Sequence, residues 1–119
     1  GTVGGIVTKT LVAMQHQFGT MSTQCFAYVG TCIDETTFEV GEDVATQFAS
    51  TFVRTDPEDH RTCADLKAAN LSLLTEFGVP REHIDVSSYS TVLNNDDYFS
   101  YRAEGGQTGR MLAVIGIRP

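Results

Sequence analysis

Two arginines, Arg102 and Arg110, flank a short glycine-rich stretch close to the C-terminal end of the sequence. Each guanidinium presents a forked set of N–H donors that suits phosphate or carboxylate groups. Ser100 and Thr108 could add hydroxyl donors, and the glycines between the arginines would let the backbone approach a ligand closely. We therefore predict one substrate-binding set, made of Ser100, Tyr101, Arg102 and Arg110.

The same segment also has a purely structural interpretation. Arg102 would then pair with Glu104 or Asp97, and the glycines would only form a hairpin turn. The aromatic side chains of the segment would either stack on a planar ring or fill the core beside a chain reversal. These side chains are Tyr98, Phe99 and Tyr101. Residue chemistry alone leaves both interpretations open.

Other chemistry-bearing residues are scattered along the chain. Cys32, His60 and Cys63 are the one Cys/His set with conceivable metal chemistry, but a zinc site needs three or four converging ligands. We predict no metal ligand among them. Three carboxylates in and before the arginine-containing segment fit ordinary turn and cap positions better than acid–base catalysis. They are Asp96, Asp97 and Glu104.

Composition limits the class of protein. The 119 residues, 41% of them hydrophobic, correspond to one domain spanning residues 1–119 with a packed core. A formal net charge of −7 with only two lysines argues against nucleic-acid binding. No apolar run approaches the ~20 residues that span a bilayer, so no membrane association is predicted. Three cysteines without CxxC spacing, and no recognisable secretory signal, predict a cytoplasmic protein.

Several elements must position the predicted site. Apolar residues at three- and four-residue steps predict a helix over 3–18 that ends at Gly19, and a second long helix that Thr62 would cap and Gly78 would end. A short helix is expected over about 42–50, a loop over 54–61 and either a turn or a helix N-terminus at 94–97. Strands are predicted at 24–30 and 83–89, and at 111–117, where the apolar run indicates burial on both faces. The order predicts an α+β (α/β layered) domain with a mixed sheet and flanking helices.

Four motifs in this order resemble the C-terminal half of the laccase-domain family, also called YfiH-like or multicopper polyphenol oxidoreductase. Residues 1–6, Gly-Thr-Val-Gly-Gly-Ile, resemble the stretch after the family's His-Ala-Gly-Trp-Arg. Residues 28–41 resemble its Gly-Pro-x-Ile…Glu-Val-Gly segment, and residues 65–70 its Asp-Leu-x-x-Ala-Asn helix start. Residues 98–110 resemble its Phe-Phe-Ser-Tyr-Arg…Thr-Gly-Arg signature. Ser90 departs from the pattern, because the family usually has Cys there.

This resemblance implies a fold similar to the cysteine-hydrolase-like α/β proteins. It also implies the activity of a purine nucleoside phosphorylase that acts on adenosine, inosine or methylthioadenosine and also deaminates adenosine. Purine nucleoside and phosphate are therefore the expected partners. The chain would supply scaffold and part of the substrate pocket.

The resemblance further implies that the family's zinc (or copper) ligands are outside this chain. They belong to Gln-Val-His, Ala-Asp-Cys and His-Ala-Gly-Trp motifs that precede the region matched here. Two alternatives follow: a non-catalytic fragment or interaction module, or a polyphenol oxidase, for which three scattered histidines are too few. A part of a larger α/β domain should also expose apolar surface, so we expect self-association or pairing with an N-terminal half.

Overall fold

The computed structural model describes all 119 residues and contains three α-helices and four short strands. The helices are α1 (Ile6–Phe18), α2 (Glu42–Ala45) and α3 (Leu66–Phe77). The strands are β1 (Ala27–Val29), β2 (Val53–Thr55), β3 (Thr62–Ala64) and β4 (Ile84–Val86). Both long helices end where expected, because Gly19 and Gly78 adopt left-handed backbone conformations that glycine tolerates without steric cost.

The strands form two separate two-stranded ladders. β1 pairs with β4 in parallel, with Ala27 opposite Ile84. β2 pairs with β3 in antiparallel fashion, with Arg54 opposite Cys63. The α+β prediction with parallel and antiparallel pairing is confirmed, although the mixed sheet is divided into two ladders.

The core lies where the two long helices cover the parallel ladder. Leu11 of α1 and Leu74 of α3 pack with Cys25, Val79 and Ile84. The core is small, because only 12 of the 119 residues are buried. Its function in the fold is to hold the ends of β1 and β4 at a fixed register.

The start of α3 differs from the prediction. Asp65, not Thr62, is the N-cap: its carboxylate accepts the N–H of Ala68 at 2.9 Å. Thr62 belongs to β3 instead, because the predicted loop at 54–61 is the end of a hairpin between β2 and β3. The Asp56 side chain closes the hairpin by accepting the N–H of Glu58 at 2.7 Å. The short helix expected over 42–50 is also confined to α2.

The prediction of a buried strand at residues 111–117 is wrong. This segment has no regular secondary structure, and its side chains are exposed, including Leu112 at 88% and Ile117 at 95%. An apolar run forms a strand only where a neighbouring strand satisfies its N–H and C=O groups. Neither ladder of this chain pairs with it.

Candidate functional site

Buried polar side chains gather beyond the carboxyl ends of β1 and β4. The five buried polar residues are Asp34, Ser87, Ser90, Thr91 and Ser100. The first four follow β1 or β4 in the chain, and an isolated parallel bridge between Cys32 and Ser90 continues the ladder. Ligands of open α/β sheets bind at this end of parallel strands. We call this region the carboxyl edge.

Asp34 organises the carboxyl edge. Its carboxylate accepts hydroxyl hydrogen bonds from Ser90, from Thr36 and, at 2.6 Å, from Thr37. The backbone N–H of Thr36 donates to it as well, at 3.1 Å. Burial raises the pKa of Asp34, but these hydrogen bonds outweigh burial and hold the pKa well below its ordinary value. Asp34 is therefore an ionised group that fixes two chain segments 56 residues apart.

Ser90 connects the Asp34 hydrogen-bond network to the turn that follows. Its Oγ accepts the N–H groups of Val92 at 3.1 Å and Leu93 at 3.2 Å, as an N-cap does. Its own N–H donates to the Asn94 side chain at 2.9 Å. The predicted turn at 94–97 is confirmed as part of this longer run of turns.

Lys67, in the first turn of α3, hydrogen-bonds the backbone segment that follows β4. Its Nζ donates to the carbonyls of Ser87 and Tyr89, each at 2.6 Å. The Thr31 hydroxyl is also hydrogen-bonded to that of Ser87 at 2.7 Å. The backbone between β4 and Ser90 is therefore anchored both to α3 and to the residues that follow β1.

A pocket of about 250 Å³ opens beside this network. We call it the aromatic pocket, and its lining residues are Ile33, Phe38, Thr91, Phe99, Ser100, Tyr101 and Arg102. Aromatic and aliphatic groups form most of the wall, with a few polar groups among them. This is the usual composition of small-molecule sites.

The structure brings three of the four predicted substrate-binding residues together. Ser100, Tyr101 and Arg102 all line the aromatic pocket. Arg110 does not: it is exposed, and its Nη1 donates to the neighbouring Gly109 carbonyl at 3.1 Å. The two arginines therefore do not form one shared anion clamp in this structure.

The structural alternative for Arg102 is wrong. Arg102 pairs with neither Glu104 nor Asp97: its Nη1 donates to the Glu39 carbonyl at 3.1 Å, and its guanidinium carbon lies 5.7 Å from the centre of the Phe38 ring. Arg61 makes the ion pairs of this chain, with Glu39 and Asp59. Most of the N–H donors of Arg102 are therefore free of protein partners.

Glu104 shapes the loop that carries the pocket residues. Its carboxylate accepts the N–H of Ser100 at 2.7 Å, the Thr108 hydroxyl at 2.6 Å and the Asn95 amide at 3.3 Å. The hydrogen bond from the Ser100 N–H is the main reason why the pKa of Glu104 is lowered. Thr108 is therefore a structural residue, and Glu104 is a loop-organising carboxylate, as the turn interpretation predicted.

The aromatic side chains of this segment do not fill the hydrophobic core. Phe99 is 49% exposed and Tyr101 is 69% exposed. Tyr98 lies outside the pocket, with its ring centre 5.9 Å from that of Tyr89. A flat ring in the pocket would therefore find exposed aromatic faces at Phe99 and Tyr101.

The Cys/His set does not converge. Cys32 lies at the carboxyl edge, where burial raises the pKa of its thiol, whereas Cys63 lies in β3 and His60 in the hairpin loop. No group of three His, Cys, Asp or Glu side chains is placed to hold a metal ion. Neither α1 nor any other helix has both the length and the apolar character needed to cross a membrane.

Sequence reasoning missed Asp34 and Thr91. The run Asp34-Glu35-Thr36-Thr37 carries one usable signal, because Asp followed by hydroxyl residues often forms a local side-chain-to-backbone turn. Thr91 carries no comparable signal. Its place in the pocket depends on the pairing of β1 with β4.

Comparisons with known proteins identify the family of this chain. Residues 1–118 match the family model described as multi-copper polyphenol oxidoreductase laccase. A Staphylococcus epidermidis protein named purine nucleoside phosphorylase is 36% identical over 98% of this chain, which covers 44% of that protein. A Staphylococcus aureus protein of the same name is 41% identical over 66% of this chain, or 32% of its own length.

Solved structures show the same partial coverage. The crystal structure of YlmD from Geobacillus stearothermophilus matches with a TM-score of 0.81 and 28% identity, over 92% of this chain and 43% of that one. YfiH of Bacillus licheniformis matches in fold with a TM-score of 0.80 at 23% identity, again covering 43% of that chain. The chain thus spans less than half the length of the relatives it matches. It belongs to the multi-copper polyphenol oxidoreductase laccase-domain family.

Proposed function

We propose that residues 1–119 form the C-terminal portion of a laccase domain and that the complete gene product is a cytoplasmic purine nucleoside phosphorylase. The names of the Staphylococcus relatives support the reaction class. Adenosine, inosine and methylthioadenosine are the proposed substrates, with adenosine deamination as a second reaction. The observation that carries the role of this chain is the aromatic pocket at the carboxyl edge.

In phosphorolysis, an oxygen of inorganic phosphate attacks the anomeric carbon while the bond from that carbon to the base nitrogen breaks. The base leaves with the bonding electron pair and takes up a proton, and the pentose becomes a 1-phosphate. Positioning of base and phosphate accounts for much of such catalysis. This chain contributes to positioning, because its pocket offers aromatic faces and few, well-separated polar groups.

Ser100, Tyr101 and Arg102 line the proposed base-binding wall. A planar purine would stack against Phe99 or Tyr101, and Arg102 can stack on a ring face as it does above Phe38. Arg110 lies outside this wall with an exposed guanidinium and remains the proposed phosphate-binding residue. Zinc or copper chemistry is not assigned to any residue here, because the residues of this chain do not fit a metal site.

Steady-state kinetics of the complete gene product test this function. Phosphate-dependent release of hypoxanthine from inosine is expected, with Arg102→Gln raising KM for inosine about fivefold through lost stacking. Arg110→Gln should raise KM for phosphate instead. Arg54→Gln is the matched control, because Arg54 lies in β2 with an exposed side chain that makes no hydrogen bond.

Two results would contradict the proposal. One is a complete gene product that binds no purine nucleoside and releases no base. The other is an equal response of KM for inosine to Arg54→Gln and Arg102→Gln. If Arg110→Gln has wild-type kinetics, Arg110 is removed from the site while the rest of the proposal stands.

The alternative of a non-catalytic interaction module is favoured by a separate observation, the exposed apolar segment at residues 111–117. Under that alternative the aromatic pocket would bind no nucleoside. Titration of the complete gene product with inosine therefore separates the two functions.

A further inference from the structure

Thr91 is an exception among the buried polar side chains. The side chains of Asp34, Ser87, Ser90 and Ser100 all take part in hydrogen bonds, whereas that of Thr91 takes part in none. Thr91 is nevertheless only 8% exposed. A hydroxyl without a protein partner, on a residue that is otherwise buried, must meet either water or a bound molecule.

The Thr91 side chain lines the aromatic pocket, and its hydroxyl is not sealed off from open space. No fully buried side-chain oxygen or nitrogen lacks a partner in this structure, so the unbonded Oγ1 of Thr91 must touch open space. Thr91 lines the aromatic pocket, which supplies that space. A molecule bound in the aromatic pocket can therefore reach the Thr91 hydroxyl.

The backbone holds Thr91 firmly at this position. Its N–H donates to the Cys32 carbonyl at 3.0 Å, which continues the β1–β4 register. The preceding residue, Ser90, is tied to Asp34 and caps the following turn. A functional hydroxyl needs this kind of support to keep its position without a protein partner.

Ser100 offers a second available hydroxyl. Its Oγ accepts the N–H of Ala103 at 3.2 Å, but its hydroxyl hydrogen has no protein acceptor. Thr91 and Ser100 thus each carry a hydroxyl hydrogen without a protein acceptor, among lining residues that are mostly aromatic or aliphatic. A flat heteroaromatic ring fits such a site. Its faces can stack on the aromatic side chains, and nitrogen or oxygen atoms at its edge can accept hydrogen bonds from the hydroxyls.

The charges around the pocket favour a neutral ring over an anion. Arg102 is the one cationic side chain that lines it, and two carboxylates lie next to its walls. The Asp34 carboxylate accepts a hydrogen bond from Ser90, the neighbour of Thr91, and the Glu104 carboxylate accepts one from the N–H of Ser100. Nearby carboxylates oppose the binding of a phosphate dianion.

We propose that Thr91 is a substrate-binding residue of the aromatic pocket, whose hydroxyl hydrogen-bonds the edge of a purine ring. Asp34 is a positioning residue that acts on Thr91 through Ser90. The proposal rests on the proposed function and adds to it the part of the substrate that this pocket holds.

Two variants at one position provide the test. Thr91→Val keeps the shape and removes the hydroxyl, whereas Thr91→Ser keeps the hydroxyl. In the complete gene product, we expect Thr91→Val to raise KM for inosine about fivefold and Thr91→Ser to leave it within about twofold. Calorimetric titration with hypoxanthine should show the same order, and KM for phosphate should be unchanged in both variants.

The outcomes separate the two proposals. If wild-type protein turns over inosine and Thr91→Val has the same KM for inosine, Thr91 does not bind the ring, while the phosphorylase function stands. A rise in KM for phosphate rather than inosine would make the pocket an anion site and overturn the inference. If both variants lose affinity equally, the hydroxyl has no specific role. A wild-type protein that neither binds hypoxanthine nor turns over inosine overturns both proposals.

Discussion

Asp34 links the stability of the carboxyl edge to pH. Its pKa in the folded chain lies below the ordinary value of about 3.9, so ionised Asp34 stabilises the fold above about pH 4. This contribution is lost as the pH falls from that value through the folded pKa. Asp34→Asn should lower the free energy of unfolding by about 1–3 kcal/mol at pH 7, because Asn cannot accept all the hydroxyl donors. Urea unfolding of both proteins at pH 7 and pH 3 measures this difference in the free energy of unfolding.

The control for this prediction is Asp85→Asn. Asp85 lies on β4 with its side chain exposed and without a hydrogen bond, so its replacement should change stability by less than about 0.5 kcal/mol. The difference between wild type and Asp34→Asn should shrink towards pH 3. A difference of the same size at both pH values would show that Asp34 acts by packing rather than by charge.

Gly109 controls where the Phe99 ring lies. A Cβ at position 109 would meet the Phe99 ring at 2.6 Å, which is too close for any real contact. The ring is the movable partner, so Gly109→Ala should push Phe99 out of the pocket wall and weaken binding of hypoxanthine. Calorimetric titration of the complete gene product measures the loss.

Gly105→Ala separates this contact from backbone strain. Gly105 has φ 63°, and no atom lies within 4 Å of the position that an alanine methyl group would occupy there. Its replacement should therefore cost about 1 kcal/mol of stability without moving Phe99. Equal loss of hypoxanthine affinity in both glycine variants would contradict the proposed contact.

The candidate site was predictable only where its residues are neighbours in sequence. Ser100, Tyr101 and Arg102 lie within three positions, so a single motif groups them. Asp34 and Thr91 come from separate segments, and only the parallel register of β1 and β4 brings their surroundings together. A single sequence shows no such pairing.

The two long helices were predictable because their apolar residues repeat and glycines end them. The strands were harder, since each of the four spans three residues, too few for a clear alternation. Thr62 and Asp65 illustrate the difficulty. Both residue types cap helices, and the choice depends on whether Thr62 is already paired in a ladder with Thr55.

The hairpin between β2 and β3 contains a strained residue. His60 has φ 59°, in the left-handed region that disfavours residues with a Cβ. His60→Gly should therefore stabilise the chain by roughly 0.5–1 kcal/mol, after the entropic cost of glycine is subtracted. The midpoint of urea unfolding should rise. His16→Gly, at an exposed position in the last turn of α1, should act in the opposite direction because glycine has a low helix propensity. A fall in both midpoints would contradict the strain at His60.

The molecule as a whole exposes more surface than a folded monomer of its mass. Its accessible surface is 8354 Å², whereas a typical monomer of 12.9 kDa exposes roughly 6,300 Å². Its radius of gyration, 15.8 Å, also exceeds the roughly 13.5 Å expected for this length. The excess of about 2,000 Å² on this one chain is more than twice the roughly 800 Å² that each partner contributes to a standard-size interface. Residues 111–117 supply five of the sixteen large apolar side chains that are exposed.

This apolar segment should make the 119-residue chain self-associate when it is prepared alone. Exposed apolar runs with unpaired backbone groups pair readily with other chains, although the net charge of −7 opposes association. Sedimentation velocity at micromolar concentrations should show oligomers, and the double variant Val114→Lys, Ile117→Lys should shift them to monomer. Gln15→Lys, on the exposed face of α1, adds charge elsewhere and should leave oligomers in place. A wild-type chain that sediments as a monomer at every concentration would show that the segment is not a docking surface for a second copy.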